Sequence, residues 1–236
     1  MSGSIVSPAT RDRVRGLATP IATALGRLGL TPNALTLIGF LGTCSAAYAA
    51  ANQWWLAAGV LVLAFGIFDL FDGALARATG QATKLGAFLD STFDRAGEGI
   101  VYVGIAAGCL AADFPFGAIV AATAMAASFM VSYTRAKAES LGFSSGSGLA
   151  NIGLAPREVR LAILSIGLVW TGLWLPLVAQ ERCTDPASAV QTCAYALSAH
   201  PLGSNVLDVT LGLITILAAI TTIQRILHVR AQSREG

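Results

Sequence analysis

An all-α integral membrane protein with six transmembrane helices is the fold class that this 236-residue chain predicts, and three observations carry the prediction. Hydrophobic residues make up 55% of the chain against 12% charged, and the mean hydropathy is +0.67. That is more apolar side chain than a water-facing surface of this size holds. The apolar residues also fall into runs close to the roughly 20 residues that cross a bilayer. Finally, when those runs are counted as spans, the basic residues collect on one side.

In chain order, the first expected element is a short helix. Two Thr-Pro pairs, Thr19-Pro20 and Thr31-Pro32, read as helix starts, with threonine capping and proline in the first turn. Between them IATALGRLGL forms a helix that the preceding arginines lay on the cytoplasmic membrane surface. Residues 1–32 are therefore expected as a cytoplasmic tail and juxtamembrane helix, 33–230 as the membrane domain and 231–236 as a second cytoplasmic tail. The spans are expected at 34–51, 54–71, 96–112, 115–133, 159–180 and 205–227, the third beginning as early as Gly86 because its first turns would carry Asp90 and Asp94. Asn33 and Thr36 open the first span, and GFSSGSGLANIG is a flexible loop before Arg157. The polar start MSGSIVSPATRDRVRG predicts no cleavable signal segment.

Six spans put both termini on one side. On that side lie Arg11, Arg13, Arg15, Arg27, Arg77, Lys84, Arg95, Arg135, Lys137, Arg157, Arg160, Arg225, Arg230 and Arg234, with Arg182 alone on the other. The crowded side is then cytoplasmic, and the protein a multi-pass protein of the cell membrane. Trp54, Trp55, Trp170 and Trp174 fall near the outer ends of spans, as an interfacial aromatic belt does. Cys44 and Cys109 sit within spans as small core residues, while Cys183 and Cys193 bracket an outer loop where the compartment permits a disulfide. Nucleic acid is a poor partner, because no soluble basic domain exists to read it. Anionic lipid headgroups suit the basic face.

The chemistry lies in DLFDGALARATGQATKLGAFLDSTFD, residues 69–94. Asp69 and Asp72 are three apart on a helix, with Gly73, Ala76 and Arg77 following on the same face; Gly86, Asp90 and Asp94 form a second stripe at spacing four. Two helix ends thus each present a pair of carboxylates. Interfacial charges neutralised by Arg77, Lys84 and Arg95 are the bland account of any single aspartate. Four together repel unless protonated or bridged by cations, and two divalent ions supply the missing charge. Hard oxygen ligands with no histidine or cysteine nearby favour Mg²⁺, or Mn²⁺, over zinc. Such a two-metal site suits in-line displacement at phosphorus. Gly73, Ala76 and Gly86 clear space beside it.

The segment reads D-x-x-D-G-x-x-A-R-x8-G-x-x-x-D-x-x-x-D, and in this it resembles the CDP-alcohol phosphotransferase family of membrane enzymes of phospholipid synthesis. The resemblance implies a CDP-linked donor, usually CDP-diacylglycerol, whose diphosphate is held by metal while an alcohol attacks the lipid-side phosphorus and CMP leaves. It implies that Asp69, Asp72 and Asp90 hold the metals, with Asp94 a further ligand and the general base. It assigns Gly73, Arg77 and Thr83, beside Asp69, Ala76 and Gly86, to the CDP moiety, and Asn33, Ala34, Leu35 and Thr36 to its other side. It also implies a homodimer.

The acceptor is a separate question. Arg135, Lys137, Arg157 and Arg160 cluster at the cytoplasmic ends of two spans, which a phosphorylated acceptor explains through forked donors and the positive-inside bias explains without one. TPIATALGRLGLTPNALTLIG, SYTRAKAESLG and the R-E-V-R-L of residues 157–161 are similar to the branch of the family that joins CDP-diacylglycerol to inositol 1-phosphate. That branch often has Lys then Arg where this chain has Arg135 then Lys137, so glycerol 3-phosphate is the alternative acceptor. A membrane transporter with an interfacial acidic site is the non-enzyme alternative.

Overall fold

The computed structural model describes residues 19–143, 153–182 and 201–235, and the side chains of 175–182, 201–205 and 235 are not among those described. The expected pair Cys183 and Cys193, the arginines before residue 16 and most of the loop before Arg157 lie outside the described residues. What is described is helical throughout, with no strand. A first helix, α1, covers 19–27. Six long helices follow: α2 (Pro32–Ala51), α3 (Trp55–Ala78), α4 (Lys84–Ala111), α5 (Pro115–Ser140), α6 (Arg157–Arg182) and α7 (Pro201–Glu235).

Local chemistry sets several boundaries. The Thr31 hydroxyl accepts the Ala34 N–H at 3.2 Å with Pro32 in the first turn, so α2 begins where the Thr-Pro pair places it. Thr83 caps α4 in the same way, accepting the Gly86 N–H at 2.9 Å. Thr19, by contrast, already lies inside α1 rather than capping it. Several helices also outrun the apolar stretches within them: α3 continues to Ala78, α5 to Ser140, and α7 runs through 231–235, where a tail was expected. Backbone hydrogen bonding does not stop where the apolar run stops.

The six long helices close a ring. Packed neighbours are α2 with α3, α3 with α6, α6 with α7, α7 with α5, α5 with α4, and α4 with α2. One core runs through all six, including Ala46 and Ala50 (α2), Ala58 (α3), Tyr102 and Ile105 (α4), Ala121 and Ala124 (α5), Leu164 and Leu168 (α6), and Leu207 and Leu211 (α7). Small residues dominate the α2 face because backbones meet there: a Cβ added to Gly104 of α4 would lie 2.3 Å from the Ala47 carbonyl oxygen. The outside is conversely large and apolar, with Leu41, Val103, Ile119, Ile166 and Val209 all exposed. Apolar surface facing outward over helix-length stretches is lipid-facing surface, and the chain is a membrane protein.

Among the described residues, four helical segments, Pro32–Ala51, Trp55–Ala78, Pro115–Ser140 and Val206–Arg234, are long and apolar enough to cross a membrane. α4 and α6 match them in length, but α4 carries Asp90, Asp94, Arg95 and Glu98, and α6 carries Arg157, Glu158 and Arg160 in its first turn. One belt residue is corrected. Trp55 is 3% exposed and packs in the core, its ring against Gly108 of α4, where a Cβ would lie 2.9 Å from it; Trp54 and Trp170 face outward. Cys109 is a core residue as expected, whereas Cys44 is half-buried.

Candidate active site

At one end of the ring α1 seals the bundle. Ala22 packs with Leu35, Ala74 and Leu75 into a second small core, flanked by Leu25, Phe68 and Phe71. Each fully buried leucine there contributes about 1.5–3 kcal/mol. This fixes the acidic end of α3, the end that carries Asp69 and Asp72.

Asp72 is buried, and its carboxylate accepts the Thr36 hydroxyl of α2 at 2.7 Å. Asp69 lies against α2 as well: a Cβ on Gly39 would sit 2.7 Å from its Oδ1, so only glycine admits the carboxylate here. From α4, Asp94 and Asp90 face the same region, and Asp90 is within charge-interaction range of Asp69, Asp72 and Arg157. The cation that joins the two helices comes from α6. Arg157 donates from Nη2 to Asp69 Oδ2 at 2.7 Å and forms an ion pair from Nη1 to Asp94 Oδ1 at 2.8 Å. Its Nε is buried with no hydrogen-bond partner. Thr36, Phe40, Thr43, Asp69, Phe93, Asp94 and Arg157 line a cleft, with the Phe40 and Phe93 rings 4.9 Å apart.

Four carboxylates here face two guanidinium groups, Arg157 and Arg95, the latter 3.3 Å from Asp94. Two negative charges are left over. Among the described residues no three carboxylate, histidine or cysteine side chains converge to metal-ligating spacing, and the Arg157 fork stands between Asp69 and Asp94. The donor set is nonetheless all hard oxygen with a surplus of negative charge, which fits divalent cations.

The other expected site residues divide. Asn33, Thr83 and Gly86 converge: a Cβ on Gly86 would lie 3.1 Å from Thr83 Oγ1 and 3.3 Å from Asn33 Oδ1. Arg77 is exposed and folds back over Gly73, and Ala76 is half-buried. Leu35 does not fit its assignment, for its side chain is 1% exposed in the α1 core and offers a ligand nothing; Ala34 spends its N–H on the Thr31 cap. Of the four basic residues, only Arg157 lines the cleft. Arg135 pairs with Glu139 at 2.8 Å and Lys137 is exposed. Arg160 is corrected outright. It is 1% exposed and forms a two-pronged pair with Glu98, Nε to Oε1 at 2.9 Å and Nη2 to Oε2 at 2.8 Å. Its remaining Nη1 donates to the Ala155 carbonyl at 2.9 Å, so all three nitrogens are engaged, and the buried side chain does not line the cleft.

Sequence reasoning missed Gly39, Glu98 and Arg225. Glu98 had a signal, since it continues the stripe of Gly86, Asp90 and Asp94 by one more step of four. Arg225 of α7 is buried, bonds the Val131 carbonyl, and stands in charge range of Arg135, Arg160 and Glu139. Nothing local in the sequence set it apart from the other basic residues of its side.

Carboxylates and an arginine fork gathered at one end of a lipid-facing helical ring make a charged site whose chemistry suits phosphorylated groups. The particular kind follows from comparison. The sequence profile of CDP-alcohol phosphatidyltransferase matches residues 29–223, and the chain belongs to that family of transferases. The archaetidylinositol phosphate synthase of Pyrococcus horikoshii is 40% identical over 164 residues, covering 69% of this chain and 82% of the relative. The phosphatidylinositol phosphate synthase of Cutibacterium acnes is 35% identical over 217 residues, covering 89% and 91%. Crystal structures of the Mycobacterium tuberculosis phosphatidylinositol phosphate synthase also superpose on this chain. The complex with manganese and citrate does so at a TM-score of 0.67 and 29% identity, covering 90% of this chain and 88% of that one. The form with CDP-DAG bound gives 0.67 and 28%, covering 90% and 92%.

Proposed function

We propose that this protein transfers the phosphatidyl group of CDP-diacylglycerol to the hydroxyl of inositol 1-phosphate, releasing phosphatidylinositol phosphate and CMP. The observation that carries the reading is Arg157. It brings a phosphate-binding fork within 2.8 Å of carboxylates from both halves of the aspartate signature, so donor and acceptor sites share a wall. Its buried, unpartnered Nε is a further donor for an anion. The relatives support the acceptor: names that differ in the lipid, archaetidyl in one and phosphatidyl in the other, share inositol phosphate as headgroup.

Two Mg²⁺ ions, with Mn²⁺ able to replace them, are held in this reading by Asp69, Asp72, Asp90 and Asp94. When bound they supply positive field to the diphosphate and to the departing oxygen. The chain's own residues do the rest. Thr36 orients Asp72 by its hydrogen bond to Oδ2 and the Gly73 N–H by one to Oδ1, and each oxygen keeps a lone pair for ligation. Asn33, Gly73, Arg77, Thr83 and Gly86 bound the space for the CDP moiety. Arg157 turns from the carboxylates to the acceptor's phosphate. Asp94 takes the proton of the attacking hydroxyl; the new P–O bond forms to the lipid-side phosphorus as the bond to CMP breaks.

In this reading α4 and α6 also span the bilayer, as ring members of the same length as their apolar neighbours. Both termini and the cleft face the cytoplasm, and the protein is a homodimer. Incubating the purified chain with CDP-diacylglycerol, Mg²⁺ and inositol 1-phosphate and weighing the extracted lipid by mass spectrometry tests the chemistry. A lipid carrying inositol phosphate is expected; a lipid carrying glycerol phosphate, formed only when glycerol 3-phosphate is supplied, would move the protein to the alternative acceptor.

A further inference from the structure

Arg157 stands at the first position of α6, and what holds that first turn is spread over three helices. Ala155, two residues earlier, is fully buried, and both its backbone polar groups are taken by side chains. Its carbonyl accepts Arg160 Nη1 at 2.9 Å, and Arg160 is anchored in turn by Glu98 of α4. Its N–H donates to Thr221 Oγ1 of α7 at 3.0 Å. The Thr221 hydroxyl gives its own proton to the Leu217 carbonyl at 2.8 Å, which aims its lone pair at Ala155. Thr221 is itself fully buried. The chain reaches this contact through Gly153 at φ +121°, a backbone region that side chains disfavour. A Cβ at Gly153 would lie 2.2 Å from the Thr221 methyl, so the segment lies directly on that residue.

We infer that Thr221 is a positioning residue for the transfer reaction: by fixing Ala155 it sets where the Arg157 fork projects over Asp69 and Asp94. Two anchors act on the same turn. The Arg160–Glu98 pair fixes α6 to α4 at depth, and the Thr221 hydroxyl fixes the approach of the chain from the α7 side. Removing the hydroxyl leaves the buried Ala155 N–H unpaired, and the turn relieves that cost by moving toward water. The deeper anchor remains, so the bundle stays folded while the Arg157 fork shifts. A shift of about 1 Å in a group that binds and aligns a reactant is enough to impair it strongly.

The inference rests on reading Arg157 as the contact for the acceptor's phosphate, and its test separates the two. Thr221→Val keeps the shape and the methyl but loses the hydroxyl; Thr221→Ser keeps the hydroxyl and loses the methyl. CMP release is followed with the full-length protein while CDP-diacylglycerol and inositol 1-phosphate are varied in turn. Thr221→Val is expected to raise the acceptor KM about tenfold with the donor KM within about twofold, and Thr221→Ser to restore the acceptor KM to within about twofold of the parent. Equal effects on both KM values, or a serine variant that behaves like the valine variant, would overturn the inference. Amide hydrogen exchange over residues 153–160 reads the same contact without turnover: acceleration of about tenfold in Thr221→Val and none in Thr221→Ser is expected, and unchanged exchange in the valine variant overturns the inference. A parent protein that used another alcohol, or released no CMP, would remove the functional reading, and the exchange comparison would still decide whether Thr221 holds the segment.

Discussion

Arg157 reaches Asp69 across 88 positions of sequence, and no local pattern says that it does so. The aspartates themselves were legible, because spacings of three and four on two helices force them onto shared faces. Their counter-charge was not: the nearby Arg77 and Lys84 were the obvious candidates, yet Arg77 is exposed and neither pairs with them among the described ion pairs. Clustered basic residues report the side of the membrane, not the direction each side chain takes, which is why Arg135 and Arg160 fell in with Arg157 although one pairs with Glu139 and the other with Glu98. Two predictions belong at this scale. Asp69→Asn removes one carboxylate charge from the cleft and is expected to lower kcat by at least about a thousandfold and to weaken metal-dependent binding of CDP-diacylglycerol, measured by single-turnover CMP release and by titration. Retained turnover would end the metal assignment. Arg157→Gln is expected to raise the acceptor KM by about tenfold or more over any change in the donor KM. Measured in chelator, where no metal replaces the lost guanidinium, the same variant is expected to lose about 1–3 kcal/mol of stability.

At the scale of elements, hydropathy located every long helix and underestimated most of them at the acidic end. The reason is physical: apolar side chains stop where lipid stops, whereas α3 continues to Ala78 and α4 begins at Lys84, adding the polar turns on which the aspartates ride. Which helices touch was not legible at all. Trp55 shows the consequence, since a tryptophan at the end of a span suits a lipid interface equally well until α4 is known to cover it. The α2–α4 seam is a sensitive contact, because Gly104 meets the Ala47 carbonyl with no room for a side chain. Gly104→Val is expected to push α4 away from α2, costing roughly 2–3 kcal/mol in thermal or denaturant unfolding. Activity is expected to fall with it, because Asp90 and Asp94 are carried on α4 while Thr36 and Gly39 are carried on α2. Full activity with an unchanged melting temperature would show that the seam has slack.

For the whole molecule, the turns alternate between the two ends of the ring. Gly80 and Gly142 lie at the acidic end, and Asn52 and Asp113 at the other, each turn closed by local backbone bonds such as the Asp113 N–H to the Leu110 carbonyl at 3.1 Å. The excess of arginine and lysine at the acidic end predicts which end faces the cytoplasm. With native cysteines replaced, a cysteine at Asp113 is expected to react with a membrane-impermeant maleimide on intact cells, and one at Gly80 only after permeabilisation; the reverse pattern would invert the topology. The central claim is that a lipid donor and a phosphorylated alcohol meet at the carboxylates that Arg157 joins. Its most direct test is CMP release from CDP-diacylglycerol by the purified protein in Mg²⁺, offered inositol 1-phosphate, glycerol 3-phosphate, inositol and serine in separate reactions. Release with inositol 1-phosphate, at least about a hundredfold faster than with the unphosphorylated alcohols, is the predicted result. Equal release with inositol and inositol 1-phosphate would contradict it, because a site that ignores the phosphate has no use for the fork that Arg157 presents.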